Sequence, residues 1–262
     1  LCTQRYGVGL TPDSANYVSA ARSLPAGQGY LHFDGTICTH WPPLLPTLLA
    51  IPGLAGVGPV TAARWLNALA FGGIVCFAGC LFTQCTVHRG AAALGTLSVL
   101  LSTPLLVVSS MAWSEPVFIL LAVLFVLCLA RFSQTTSWTS LLMLSALAAL
   151  ACLQRYAGLS FIVTGAVAIL VVMPAAPVRD RFKYTVIFGL LSSTPLALWF
   201  LRNYLLMGMG QTTGFHHMSW RSIAEIGRPL LGALDMMAGW FSRRTPPRVL
   251  GAAVAGVVLL TT

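Results

Sequence analysis

Charge is what this 262-residue sequence has least of: Asp, Glu, Lys and Arg make up 8% of it. Soluble globular domains carry about 25% charged residues, so this composition excludes a mainly soluble protein. Lysine is nearly missing, with Lys183 the single example, and six acidic residues stand against 15 Lys and Arg, a formal net charge of +9. Because no basic runs are present, we expect no nucleic acid partner; anionic membrane lipid or a phosphate-bearing lipid fits this charge better.

Familiar catalytic signatures are also missing. The sequence has no P-loop, GxSxG, HExxH or DxD motif, and no Cys/His/Asp spacing typical of a metal site. Five of the seven cysteines lie in apolar runs, while Cys2 and Cys38 lie in a polar segment, where a disulfide between them is left open. There is no initiator Met or signal peptide, and the chain ends inside the short apolar run 249–262. We therefore expect a fragment, with at least one membrane span missing at each end.

Long apolar runs dominate what is present. Hydrophobic residues make up 57% of the chain, and the mean hydropathy is +0.83. Since about 20 apolar residues cross a bilayer as a helix, these runs predict an all-α, polytopic bundle, with about six transmembrane helices within 63–201. The predicted spans are 65–87, 90–114 with a kink at Pro104, 116–130, 138–178 folded back on itself at 154–158, and 184–201 with Pro195 inside.

The regions outside these spans complete a single membrane domain over 1–262. Residues 1–62 are predicted to form a loop of short interfacial helices that carries the catalytic segment, because five prolines within 42–60 argue against one straight helix. Residues 202–248 are predicted to be a connection on the same side of the membrane as that loop. Residues 249–262 would begin a truncated span.

Because successive spans cross the membrane in opposite directions, successive connections are predicted to lie on opposite sides. The short hairpins on one side carry Arg89, Arg131, Arg179, Arg181 and Lys183, so this side is predicted to be cytoplasmic. Five of the six carboxylates fall on the other side, namely Asp13, Asp34, Glu115, Glu225 and Asp235. We therefore expect a multi-pass protein of the cell (inner) membrane, with its active site facing outside or the periplasm.

Two of those carboxylates have competing interpretations. Asp13 follows Thr11-Pro12 at a predicted helix start, where it is either the helix N-cap or a general base at the mouth of the bundle. Glu115 precedes Pro116 at another turn, where it is either a structural cap or a functional acid.

Arginines at span ends are the second group of candidates. Arg64 either reaches up to lipid headgroups or faces inward towards an anion such as a lipid phosphate or Glu115. Arg155 lies at the tip of a tight hairpin without a carboxylate nearby in sequence, and it is a functional candidate for that reason. Arg202 has Trp199 and Tyr204 beside it, as in an interfacial aromatic belt. His40 and the pair His216-His217 are the remaining titratable candidates.

Six short motifs in order resemble one family. They are Leu10-Thr-Pro-Asp-Ser-Ala-Asn-Tyr17, Gly27-Gln-Gly-Tyr30 with His40-Trp-Pro-Pro-Leu44, Arg64-Trp-Leu-Asn67, Trp113-Ser-Glu-Pro116, Gln154-Arg-Tyr-Ala-Gly158 and Trp199-Phe-Leu-Arg-Asn-Tyr204. Together they resemble the membrane-embedded GT-C glycosyltransferases, closest to the bacterial family 39 type that includes protein mannosyltransferases and aminoarabinose transferases. The resemblance covers about residues 10–205.

The resemblance implies a reaction and a set of residues. A sugar would pass from a polyprenyl-phosphate donor to an unidentified acceptor hydroxyl or amine at the outer face, with Asp13 as the catalytic base. Ser14 stands where the family has a second acidic residue. Arg64, Arg155 and Arg202 would bind the donor phosphate, with His40, Glu115, Asp34 and Tyr17 in possible supporting roles. The leaving group is a monophosphate, which arginines can balance, so we expect no cofactor and no divalent metal.

Two other classes remain open. In a multipass transporter, Glu115 and Arg155 would form an intramembrane ion pair used in gating or substrate binding; inverted repeats would favour this class, and none is evident. The third class is a purely structural membrane subunit.

Overall fold

The computed structural model describes Thr3 and residues 7–172 and 177–207. Within these residues the secondary structure is helical, apart from two isolated bridges, Gly9 with Met111 and Leu31 with Ile37. The predicted connection beyond residue 207, the run 249–262 and His216-His217 lie outside the described residues. The helices are α1 (Pro12–Ser23), α2 (Leu44–Ala50), α3 (Pro59–Cys85), α4 (Arg89–Leu100), α5 (Thr103–Ser109), α6 (Glu115–Thr135), α7 (Trp138–Gln154), α8 (Leu159–Val172) and α9 (Val178–Met207).

Three of these helices, α3, α6 and α9, are long and apolar enough to cross a membrane. A fourth candidate is the pair α4 and α5, which meet at an angle of 46°. The bend falls at Ser102, whose hydroxyl caps α5 two residues before Pro104, so the predicted kink is confirmed. Because α7 and α8 have 17 and 14 residues, they are shorter than the usual span of about 20 residues. The expectation of about six spans therefore stays a prediction for these two helices.

The break between α7 and α8 is where the sequence predicts it. Helix α7 ends at Gln154, a 3₁₀ turn covers Tyr156–Gly158, and α8 begins at the next residue. The turn needs glycine, because a Cβ on Gly158 would collide with the backbone of Ala151 and Cys152. This close return of the chain fixes the position of the hairpin tip, and with it Arg155.

The N-terminal segment packs onto the ends of the long helices. Helix α2 and a 3₁₀ turn at Pro52–Ala55 replace a straight span over 42–60, as the prolines predict. The segment is anchored through its backbone: Gly9 N–H donates to the Ser110 carbonyl and Ala112 N–H donates to the Gly9 carbonyl, both at 2.9 Å. A shared apolar core then joins α1, α2 and α3, and its buried side chains include Tyr17, Leu45, Leu49, Ala63 and Ala112.

Helix α7 is central to the described bundle, since it packs against α2, α6, α8 and α9. The two ends of this bundle differ in the residues that meet there. At one end, here called the loop end, the N-terminal segment meets the start of α6 and the ends of α7 and α9. At the other, the basic end, Lys183 lies 5.5 Å from the ring centroid of Trp138. Among the described residues, these contacts place Ser114, Arg155 and Asn203 at one end and Trp138 and Lys183 at the other, as the predicted alternation requires. The membrane side that each end faces stays a prediction.

Candidate functional site at the loop end

Thr11 is the N-cap residue of helix α1, which leaves Asp13 free of a capping role. The Thr11 hydroxyl accepts from the Ser14 N–H at 3.4 Å and also from the indole N–H of Trp113 at 2.9 Å. The alternative that Asp13 is the N-cap is therefore wrong. Asp13 lies in the first turn of α1, its side chain is exposed, and it has no hydrogen bond or ion pair to any residue that the structure describes.

Tyr17 lies one helical turn after Asp13, so the two side chains share a face of α1. Burial raises the pKa of Tyr17 above its usual value, while a hydrogen bond with Ser114 and the positive charge of Arg155 oppose that rise. The negative charges of Glu115 and Asp13 also act on this pKa. Tyr17 is therefore a neutral hydroxyl within the electrostatic reach of all three charged candidates.

Arg155 projects from the hairpin tip towards the start of α6. Its guanidinium donates to the Ser114 hydroxyl at 2.9 Å and forms an ion pair with Glu115. Ser114, rather than Glu115, is the N-cap residue of α6, so the cap interpretation of Glu115 is wrong. Glu115 instead occupies the first turn, where the helix dipole favours a carboxylate. Of the two cations considered as its partner in the sequence, the structure selects Arg155 and not Arg64.

Buried Gln154 connects the end of α7 to Ser114 at the start of α6. Its side chain is fully buried, and its amide N–H donates to the Ser114 carbonyl at 3.0 Å. The Gln154 carbonyl oxygen has no hydrogen-bond partner among the described residues. We call Asp13, Tyr17, Ser114, Glu115, Gln154 and Arg155 the Arg155 cluster. Three elements far apart in sequence contribute to it: the first helix, the start of α6 and the end of α7.

The ion pair within the Arg155 cluster is partly open to solvent. The exposed fractions of the Arg155 and Glu115 side chains are 38% and 35%. Exposed pairs contribute about 0–1 kcal/mol to stability, so this pair orients the guanidinium more than it stabilises the fold. Arginine has five N–H donors, and several remain for an incoming anion.

Arg202 lies in a second group at the same end, here called the Arg202 cluster. Its guanidinium carbon is 4.7 Å from the ring centroid of Trp199 and 5.3 Å from that of Tyr30. It also donates to the Cys38 carbonyl at 3.3 Å, while buried Asn203 donates to the Thr39 carbonyl at 3.0 Å. These bonds tie the end of α9 to the loop before α2. The loop therefore covers Arg202 from one side.

Tyr156 connects the two clusters. It follows Arg155 directly and packs on Phe200, with 5.6 Å between ring centroids. Cys38, beside the Arg202 cluster, is a buried free thiol, and burial raises its pKa. Cys2, its possible disulfide partner, lies outside the described residues.

The remaining candidates are near the loop end but outside both clusters. Arg64 is half-buried, with its guanidinium 5.8 Å from the ring centroid of Trp65. His40 is exposed and meets Trp41 edge-on at 5.0 Å. Asp34 is exposed and accepts from the hydroxyl and N–H of Thr36, which lower its carboxyl pKa. Asp34 thus shapes a local turn, and supporting roles for all three stay predictions.

Three residues of the Arg155 cluster region were quoted in sequence motifs but were not predicted to belong to the site: Trp113, Ser114 and Gln154. The sequence feature that could have identified them is their position beside a predicted turn, where side chains able to form hydrogen bonds interrupt an apolar sequence. Among the described residues, no three His, Cys, Asp or Glu side chains lie together as metal ligands would. Comparisons with protein-family models, with curated proteins and with solved structures find no match to this chain.

Proposed function

We propose that this protein is a membrane glycosyltransferase of the GT-C type, related to the family 39 enzymes. It would transfer a sugar from a polyprenyl-phosphate donor to an acceptor at the outer face of the membrane. One observation supports this most: at the loop end, Asp13 is an exposed carboxylate without a partner among the described residues, and the Arg155 guanidinium is held at the same end by Ser114 and Glu115. A general base and an anion-binding cation are the two groups that such a transfer requires.

Asp13 is proposed to take the proton from the acceptor hydroxyl or amine. The acceptor atom then bonds to the anomeric carbon from the side opposite the phosphate. The bond between that carbon and the phosphate oxygen breaks, its electron pair leaves with the polyprenyl phosphate, and the sugar is inverted. The Asp13 carboxylate suits this step because it has no partner to displace among the residues that the structure describes.

Arg155 is proposed to bind the departing phosphate. Its N–H donors match phosphate oxygens, and its charge is permanent. The ion pair with Glu115 keeps the guanidinium oriented at the mouth of the bundle before the donor arrives. Because that pair is partly exposed, exchange of the carboxylate for a phosphate costs little.

Arg202 is the second proposed phosphate ligand, and Arg64 the third. The Trp199 and Tyr30 rings hold the Arg202 charge close to the loop that carries His40, so one face of the guanidinium meets aromatic rings instead of a carboxylate. Two arginines are enough to balance a monophosphate of charge near −2, so no divalent metal is expected. The prenyl chain would lie along the apolar helices, and His40 would orient the acceptor.

A transporter is the second candidate function. It is favoured by one observation, the ion pair that Glu115 and Arg155 form between the start of α6 and the end of α7. Intramembrane or interfacial pairs of this kind mark substrate and ion pathways. In that case Asp13 would have no chemical role.

Sealed vesicles that contain the full-length protein separate the two functions. A donor labelled in the sugar, with acceptor outside, should yield labelled acceptor and free polyprenyl phosphate in equal amounts. The Asp13→Asn variant should yield neither, whereas the control Asp180→Asn, which also removes one carboxylate but at the start of α9, should remain active. Movement of a labelled solute across the membrane without cleavage of donor would contradict the proposal and favour a transporter.

A further inference from the structure

A cavity of about 1050 Å³ opens between α3, α6 and α7, and its lining on α7 extends from Thr139 at the basic end to Leu150, about one turn before Gln154. Its lining side chains are apolar at one end of the cavity and polar at the other. Its deeper wall is apolar and includes Phe77, Leu124, Leu147 and Leu150. Its wall at the basic end is polar and includes Gln84, Arg131, Gln134, Ser137 and Thr139.

We propose that this cavity is a binding site for one phospholipid with an anionic headgroup, drawn from the membrane leaflet at the basic end. This site is separate from the proposed transfer site. The division of the lining matches an amphiphile: acyl chains would contact the apolar wall, and the phosphate would meet the polar one.

The dimensions of the cavity agree with this ligand. Lining residues on α7 run from Thr139 to Leu150, which at about 1.5 Å per residue is roughly 17 Å. The hydrocarbon thickness of one leaflet is about 15 Å, half of the bilayer value. The cavity therefore accommodates the chains of a lipid from one leaflet, with the headgroup level near Arg131.

Charge at the polar wall selects the headgroup. Arg131 is exposed and has no side-chain hydrogen bond or ion pair to any residue in the described part of the chain. The lining contains no carboxylate, and its other polar groups, Gln84, Gln134 and the nearby hydroxyls, can all donate to phosphate oxygens. A zwitterionic lipid would bring a positive ammonium group, and the described lining residues offer it the charge of Arg131 but no carboxylate, so a phosphatidylglycerol-like headgroup is favoured over a phosphatidylcholine.

The test is a lipid titration of the full-length protein in detergent, followed by native mass spectrometry. Phosphatidylglycerol should bind roughly fivefold or more tightly than phosphatidylcholine with the same chains, since one arginine near the surface contributes about 1 kcal/mol. Arg131→Gln should remove that difference. Arg89→Gln is the matched control, because Arg89 is exposed at the same end but does not line the cavity.

A second variant separates the cavity from surface charge. Ala146 lines the cavity and is exposed, so Ala146→Trp should fill the space and weaken phosphatidylglycerol binding without disturbing the core. Ala93→Trp, exposed on α4 outside the cavity, should leave binding unchanged. Far-UV circular dichroism shows that each variant is folded. The proposal would be overturned by equal affinity for the two lipids, or by equal losses of affinity for Arg131→Gln and Arg89→Gln. Full phosphatidylglycerol binding by Ala146→Trp would also overturn it, and this is the result expected if another part of the chain occupies the cavity.

Discussion

At the scale of single residues, Asp13 is not needed as a helix cap because Thr11 fills that role. Thr11 caps the helix, and Trp113 donates to the Thr11 hydroxyl, so the carboxylate two residues later has no hydrogen bond or ion pair among the described residues. An exposed acidic residue in a chain with only six of them is then available for chemistry.

The first prediction separates chemistry from capping. Asp13→Asn should lower turnover by roughly 10²–10⁴-fold, because the acceptor proton loses its base, while donor binding and the melting temperature stay unchanged. Thr11→Ala should instead lower stability by about 1 kcal/mol or more through the lost cap and the unpaired indole N–H. Turnover and thermal unfolding of both variants provide the comparison. Near-normal turnover of Asp13→Asn would remove Asp13 from the mechanism.

The second prediction concerns Arg155 and its partner. Arg155→Ala should weaken donor binding and turnover together. Arg155→Lys should retain more donor binding and turnover than Arg155→Ala but less than the unmodified protein, because an ammonium lacks the fork of N–H donors. Glu115→Gln should have a smaller effect, since the Ser114 hydroxyl still orients the guanidinium.

The control for this series is Arg89→Ala, which removes an exposed arginine at the opposite end of the bundle. Donor titration and initial rates are the measurements. If Glu115→Gln were as damaging as Arg155→Ala, the ion pair itself would be the functional unit, as the transporter alternative requires.

At the scale of elements, the hairpin between α7 and α8 positions the Arg155 cluster. The chain reverses so tightly that Gly158 lies against the last turn of α7. Gly158→Ala should therefore displace the hairpin tip and reduce both stability and activity. Gly72→Ala is the matched control, because Gly72 has open space around it in α3, and alanine there should be neutral or stabilising by up to about 1 kcal/mol. Equal behaviour of the two variants in thermal unfolding and turnover would show that the tip tolerates a Cβ.

The elements were largely predictable from sequence, and the contacts within the site were not. Apolar run lengths and prolines predicted the α4–α5 bend and the break at 154–158, because bilayer thickness and proline geometry act locally. The pairing of Arg155 with Glu115 depends on how α6 packs against α7, which local patterns do not encode. The same holds for the aromatic contacts of Arg202 with Tyr30, which join the loop to the end of α9.

At the scale of the whole molecule, the two ends of the described bundle differ in chemistry. Asp13, Asp34 and Glu115 belong to the loop end, while Arg131 and Lys183 belong to the basic end. The positive-inside rule then predicts that the basic end is cytoplasmic.

Cysteine labelling of intact cells tests this orientation. Asp34→Cys and Arg179→Cys both replace exposed residues, at the loop end and the basic end respectively. An impermeant maleimide should label position 34 from outside and reach position 179 only after the membrane is opened. The reverse pattern would place Asp13 on the cytoplasmic side, away from any external acceptor.

The most direct test of the proposed transfer reaction is the release of polyprenyl phosphate from a lipid-linked sugar in excess chelator. The full-length protein should release it at an undiminished rate, because arginines and not a metal balance the leaving phosphate. Asp13→Asn should reduce that release by roughly 10²–10⁴-fold under the same conditions. Loss of release on chelation with recovery on adding magnesium or manganese would contradict the arginine mechanism, and the absence of release under all conditions would contradict glycosyl transfer itself.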